Sequence, residues 1–150
     1  MDVNLWEGDL NGSARVKGPW RRLTPATGRK VSAQYSPDGK RIAFSSSRTG
    51  GQEIWVMEAD GGNASPITSL NAGVTGSPHW SPDGRRIAFD CNLRAGVYDI
   101  YSISADGGKP QPLTSEGTNI TPAWTADGRH ILFLKTDQYD SDLMLVENFR

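Results

Sequence analysis

"SPDGRRIAF" occupies residues 81–89, and "SPDGKRIAF" occupies residues 36–44. A looser copy, "TADGRHILF", runs from 125 to 133, so the three copies begin 45 and then 44 positions apart. Self-similarity at such a period marks a repeat architecture, in which each unit is one supersecondary element that buries its faces against its neighbours. The copies extend in both directions. An aromatic residue precedes each one: Tyr35 in "SAQYSPDG", Trp80 in "SPHWSPDG" and Trp124 in "TPAWTADG". A second apolar stretch follows, "EIWVMEADGG" from Glu53, "DIYSISADGG" from Asp99 and "DLMLVEN" from Asp142, and "NLWEGDLNG" from Asn4 fits the same template. A short closing element completes the unit, "RRLT" at Arg21, "SPITS" at Ser65 and "QPLTS" at Gln111.

All these segments are short, rich in β-branched and aromatic residues, and bounded by Gly, Asp and Pro. None sustains apolar residues at helical spacing, so the chain reads as all-β. In "SPDG", Pro37 and Pro82 preset φ at the second turn position, Asp38 and Asp83 suit the third, and Gly39 and Gly84 the fourth. That turn joins strands A and B. "ADGG" at Ala59 and Ala105, and "LNGS" at Leu10, carry the Asp-Gly or Asn-Gly pair of tight hairpins, and join strand C to strand D. Each unit is thus a four-stranded antiparallel meander, and four strands at this period describe a β-propeller blade. Ile42 and Phe44, Ile87 and Phe89, and Ile131 and Phe133 are expected to pack against neighbouring blades.

One propeller segment, residues 1–150, then divides into strands C–D of a partial blade (1–24), two complete blades (31–69 and 76–115) and strands A–C of a last blade (120–150). About three blades fall short of the four to eight of a closed ring. The expectation is a partial ring belonging to a longer chain, or a homodimer in which strand D of each copy completes the last blade of the other and closes six blades.

The aromatic-SPDG-RIAF hairpin, followed by "DIYSISADGG" and "PLT", resembles the PD40 or WD40-like repeat of the TolB-like β-propeller family across essentially the whole chain. The third copy departs from it at Ala126, where the others carry proline. The resemblance implies a non-catalytic scaffold that binds a protein or peptide partner, in a periplasmic setting. Such propellers also accompany prolyl-oligopeptidase-type hydrolases and winged-helix regulators. The gating propeller of a hydrolase, or the sensor domain of a regulator, is therefore the alternative reading, since a fold does not set a function.

Composition narrows the classes further. No apolar run approaches the roughly twenty residues of a membrane span, and "MDVNLWEGDL" lacks the basic start and apolar stretch of a secretion signal. Arg15, Lys17, Arg21, Arg22, Arg29 and Lys30 crowd one end and Asp137, Asp140, Asp142 and Glu147 the other, yet the formal charge is only -1. That total lacks the footprint of a nucleic-acid-binding surface. Cys91 is the single cysteine and has no internal disulfide partner. His79 and His130 are not at ligand spacing, and no GxSxG elbow exists, so no catalytic residue is assigned. "TDQYDSD" from Thr136 lacks the glycine and terminal glutamate of a calcium loop and reads as a solvated B–C connection, and no metal or cofactor is implied. Asp38, Asp83 and Asp127 recur once per unit as turn residues. The candidate binding residues are those of the innermost strand that alternate with the buried column and line a channel: Ser32, Gln34, Ser77, His79 and Thr121. The blade loops, "SRTGGQE" from Ser47 and "NLRAGVYD" from Asn92, form the other candidate surface.

Overall fold

The computed structural model describes residues 2–10, 15–25, 28–71, 73–94, 96–137 and 140–147. These residues form strands and no helix, so none of their segments is a helix long and apolar enough to cross a membrane. A hairpin of β1 (Trp6–Leu10) and β2 (Val16–Arg22) precedes two four-stranded meanders. The first is β3 (Lys30–Tyr35), β4 (Arg41–Ser46), β5 (Glu53–Glu58) and β6 (Ser65–Pro66). The second is β7 (Thr75–Trp80), β8 (Arg86–Arg94), β9 (Val97–Ser104) and β10 (Gln111–Pro112). A three-stranded sheet of β11 (Thr118–Trp124), β12 (His130–Asp137) and β13 (Asp140–Glu147) follows. Every pairing is antiparallel and joins sequence neighbours, which is the blade topology of a propeller. The "TDQYDSD" stretch falls at the β12–β13 junction, where Asp137 pairs with Asp140; its side chains from 137 onward lie outside the described residues.

The "SPDG" letters make the A–B turns by specific bonds. Gly39 N donates to Ser36 O at 2.9 Å, and Gly39 adopts φ 70°, the left-handed region that only glycine enters without strain. The Ser36 hydroxyl accepts Arg41 N (2.9 Å) and donates to Asp38 Oδ1 (2.6 Å), which also accepts Lys40 N (3.1 Å). Ser81 with Asp83, and Thr125 with Asp127, repeat this arrangement. In all three turns the hydroxyl, and then the backbone N–H, hold the carboxyl below the usual carboxylate range.

A second recurring device explains the closing threonine. Strands β6 and β10 are two-residue ladders, too short to hold the blade's outer edge alone. Thr24, Thr68 and Thr114 accept the N–H of Leu5, Ile54 and Ile100 at 3.0, 2.9 and 2.9 Å. Their hydroxyls donate in turn to the side chain one residue before that N–H, namely Asn4, Glu53 and Asp99. Side-chain clasps thus reinforce a short ladder, beside one further backbone bond in each case: Leu23 N to Leu5 O, Ile67 N to Ile54 O and Leu113 N to Ile100 O.

The core lies between blades. Leu23 of the partial blade packs with Ile42, Phe44, Trp55 and Met57 of the next. Ala43, Ile54 and Val56 of that blade pack with Trp80, Ile87 and Phe89 of the following one. Ala88 and Ile100 then pack with Ile131 and Phe133. Each blade thus presents the isoleucine and phenylalanine of strand B to the preceding blade, and an alanine of the same strand, Ala43 or Ala88, to the following one. Burying a phenylalanine is worth about 1.5–3 kcal/mol, and here the neighbouring repeat supplies the cover. Cys91 belongs to the same interior, 1% exposed, with its Sγ 3.2 Å from Thr75 Oγ1. Burial pushes its thiol up from the ordinary range. We expect iodoacetamide to leave Cys91 unmodified in the folded chain and to label it completely in urea, with mass spectrometry as the readout; fast labelling of folded protein would show this interface open.

Candidate functional site: the innermost strands

Strands β3, β7 and β11 each carry one extra residue. Register jumps between Val31 and Gln34, between Gly76 and His79, and between Ile120 and Ala123, while the partner strand advances by two each time. Ser32, Ser77 and Thr121 sit in these bulges with φ of 55°, 48° and 54°. A bulge of this kind bends the strand and re-aims the side chains on either side of it. Plain alternation would set Ser32 and Gln34 on one face; the extra residue breaks that count. Ser32 and Thr121 are exposed and Ser77 is half-buried.

Gln34 and His79 turn toward the following blade. Gln34 Oε1 accepts Trp80 N at 2.8 Å, and the Gln34 carbonyl accepts Trp80 Nε1 at 3.1 Å. One repeat later, Trp124 N donates to His79 Nδ1 at 3.2 Å. The residue before each aromatic therefore receives the backbone N–H of the aromatic one blade on. Strand B adds a second bridge: Ser45 Oγ donates to Thr75 O at 2.6 Å, and Asp90 Oδ2 accepts Thr121 N at 2.9 Å, which steadies the strained Thr121. In the last blade the equivalent positions are Ala123 and Leu134, neither of which offers a polar group, and Leu134 is 47% exposed.

Repeated blades, interblade bridges and bulged inner strands define an architecture that can be compared with known proteins. The family model of the TolB β-propeller domain, PD40, matches residues 16–148. The chain belongs to the TolB β-propeller family. An uncharacterized protein of Agrobacterium fabrum is 34% identical over 126 residues, 76% of this chain and 42% of that protein. The Tol-Pal system protein TolB of Anaeromyxobacter dehalogenans is 50% identical over 46 residues, 31% of this chain and 10% of that protein. The crystal structure of TolB from Acinetobacter baumannii superposes with a TM-score of 0.74 at 24% identity, over 86% of this chain and 32% of its own, and shares the fold. The chain thus spans less than half the length of these relatives.

In this TolB-type segment three residues of the basic amino-terminal stretch, Arg21, Arg22 and Lys30, are engaged by the fold. Arg21 pairs with Glu7 at 2.5 Å, and Arg22 Nε donates to Thr24 O at 2.8 Å. The Tyr35 hydroxyl, and then Arg21, hold the Glu7 carboxyl below its usual range. Lys30 is 1% exposed and donates to Pro25 O (2.9 Å) and Gly28 O (3.0 Å), and burial pushes its ammonium down. Asp90 and Ser45 are residues that the sequence reading passed over. The signal for them was a polar letter directly after "RIAF" inside an otherwise apolar strand.

His79 links the site to pH. Burial is the largest influence on its imidazole and lowers the pKa from 6.5. Nδ1 lies between two partners, Trp124 N at 3.2 Å and the Trp80 carbonyl at 3.1 Å, and it accepts Trp124 N only in the neutral ring with the proton on Nε2. A base depressed in the folded state stabilises fully above its unfolded pKa, and that stability is lost as pH falls below about 6.5, where the unfolded chain binds the proton first. We expect Tm to fall between pH 7.5 and 5.5 and this part of the fall to be absent in His79→Gln, followed by circular dichroism. Equal slopes in the two proteins would remove His79 from the interface.

Proposed function

We propose that the chain is a non-catalytic segment of a TolB-type propeller that serves as a scaffold for a protein or peptide partner in a periplasmic setting. The partner is met at the innermost-strand bulges of Ser32, Ser77 and Thr121 and at the blade loops after Ser47 and Asn92. The observation that carries this reading is where the interior polar groups are spent. Gln34, His79, Ser45 and Asp90 tie blade to blade, and Glu53 and Asp99 tie strand to strand. The groups that could do chemistry thus hold the scaffold together, whereas the loops after Ser47 and Asn92 differ in sequence from one blade to the next, as a recognition surface requires.

A second copy that closes a six-bladed ring belongs to the same reading. Leu132 and Leu134 stand where Ala43 and Ser45, or Ala88 and Asp90, lie under the following blade, and Tyr35 is 43% exposed where Trp80 is 3%. Light scattering of the folded chain is expected to give twice 16.3 kDa; a folded monomer would discard ring closure. For the partner, chemical crosslinking to the intact protein should be lost in Ser32→Trp and Thr121→Trp with the fold retained. Turnover of peptide substrates by the folded chain would overturn the non-catalytic reading and favour the hydrolase alternative.

A further inference from the structure

Among the described residues, the guanidinium–indole contacts are those of Arg41 with Trp80 and Arg48 with Trp55, and they differ in what the guanidinium edge meets. Arg41 lies 5.0 Å from the Trp80 centroid, and its Nη1 donates to Asp106 Oδ1 at 3.2 Å and its Nη2 to Gly84 O at 3.4 Å. Arg48 lies 4.9 Å from the Trp55 centroid. Its Nε and Nη2 are buried and have no acceptor, and neither has the buried Nε1 of Trp55, a residue 4% exposed. Stacking engages the face of a guanidinium and leaves its N–H edge needing an oxygen. A buried donor that finds none carries the full cost of its desolvation, and a buried cation with no countercharge carries more.

Arg48 stands at the root of the loop after Ser47. Ser47 N donates to Arg29 O at 3.1 Å, Ser47 Oγ accepts Arg29 N at 3.2 Å, and Arg48 N donates to Ser46 Oγ at 3.3 Å. The root is thus fixed, while Thr49 and Gly50 at the tip are exposed. Lys30 is buried close by, and after burial itself the Arg48 charge is the next influence that pushes its ammonium down. The acids at this end of the interface are already engaged: Asp2 Oδ1 accepts Gly28 N at 3.0 Å, and Glu53 holds Leu70 N, Asn71 N and the Thr68 hydroxyl. The repeat itself does not ask for a cation here. Ser46 pairs with Glu53 as Cys91 pairs with Asp99, so the residue equivalent to Arg48 in the next blade is Leu93.

We infer that Arg48 is the receptor for a carboxylate from outside the chain, an acidic side chain of the bound protein or peptide, which takes at Arg48 the part that Asp106 plays at Arg41. Two coplanar oxygens match the guanidinium fork beside the indole; a tetrahedral phosphate is bulkier there, and an amide brings one oxygen and no charge. Arg48 is half-buried, so part of it meets solvent next to the exposed tip, and Gly50 and Gly51 let that tip yield as the acid enters. The source of the carboxylate rests on the scaffold reading above, whereas the preference for a carboxylate rests on the donors of Arg48 and Trp55.

The test titrates the intact protein with an acetylated and amidated glutamate tripeptide, its glutamine counterpart and inorganic phosphate at constant ionic strength, reading the indole N–H resonance of Trp55 assigned with Trp55→Phe. The glutamate peptide is expected to move that resonance and to bind at least about tenfold more tightly than the glutamine peptide or phosphate. Arg48→Met should weaken binding at least about tenfold, with circular dichroism preserved and Tm unchanged or raised, because it removes a cation that the fold does not answer. Arg48→Lys keeps the charge without the fork and should weaken it severalfold. Glutamine peptide or phosphate binding as tightly as glutamate, unchanged binding by Arg48→Met, or no binding of any probe would overturn the inference. So would a loss of several degrees in Tm for Arg48→Met, which would make the arginine a staple of the fold. A crosslinked partner indifferent to Arg48→Met would overturn carboxylate docking and leave the scaffold reading standing.

Discussion

Trp80→Ala should cost about 3–5 kcal/mol, the range for truncating a buried large aromatic, and a sizeable share of a domain's total stability. Trp80 is 3% exposed and packs in the cluster that joins Ala43, Ile54 and Val56 of one blade to Ile87 and Phe89 of the next. Alanine keeps the backbone bond to Gln34 but loses the indole bond to the Gln34 carbonyl, the platform under Arg41, and the ring's contact area. The cavity lies where two blades meet, and neither sheet can collapse into it without breaking its ladder. Tyr35 occupies the same column against the partial blade and is 43% exposed, so Tyr35→Ala should cost under about 1 kcal/mol. Urea denaturation followed by circular dichroism measures both. Equal costs for the two substitutions would mean that the interblade contact is not the core of the molecule.

Glu53→Ala is the second large effect, expected at about 2–4 kcal/mol, because donors that lose their acceptor in the interior pay the full desolvation penalty. The carboxylate, 3% exposed, accepts Leu70 N at 2.8 Å, Asn71 N at 3.0 Å and the Thr68 hydroxyl. Those bonds help fasten the outer strand, whose pairing with β5 is limited to Trp55 with Pro66, Val56 with Ser65 and the bond from Ile67 N to Ile54 O. Glu53→Gln keeps an oxygen for the two amides and should cost about 1 kcal/mol. Thr68→Val removes the acceptor of Ile54 N and should fall between the two, near 1–2 kcal/mol. Hydrogen exchange at Leu70 and Asn71 separates a local from a global effect: fast exchange there, with β4 still protected, means the outer edge alone has come loose. Unchanged exchange in Glu53→Ala would show that the clasp does not hold the edge.

Sequence alone determined the repeat, its four-strand unit, its turns and the inward column of isoleucine and phenylalanine. These follow from local chemistry: proline and glycine restrict φ, aspartate and serine bond to the nearest backbone, and alternation along a strand puts every second residue on one face. The closing threonines were legible as a recurring letter, though not as a clasp, because their partners on strand C lie 14 to 19 residues away. Among the candidate binding residues, the strand was legible and the direction was not. One inserted residue in β3, β7 and β11 turned Gln34 and His79 onto the next blade, and a bulge leaves no mark in composition or period. The different filling of two equivalent interfaces was also decided by tertiary structure. Arg41 and Arg86 stand in identical "RIAF" contexts, and what separates them is the residue opposite the alanine two positions on, Val56 across from Ala43 or Ser102 across from Ala88, where Ser102 Oγ accepts from Arg86, together with Asp106 of the following blade, which accepts from Arg41. Those partners meet only when the strands pair and the blades stack.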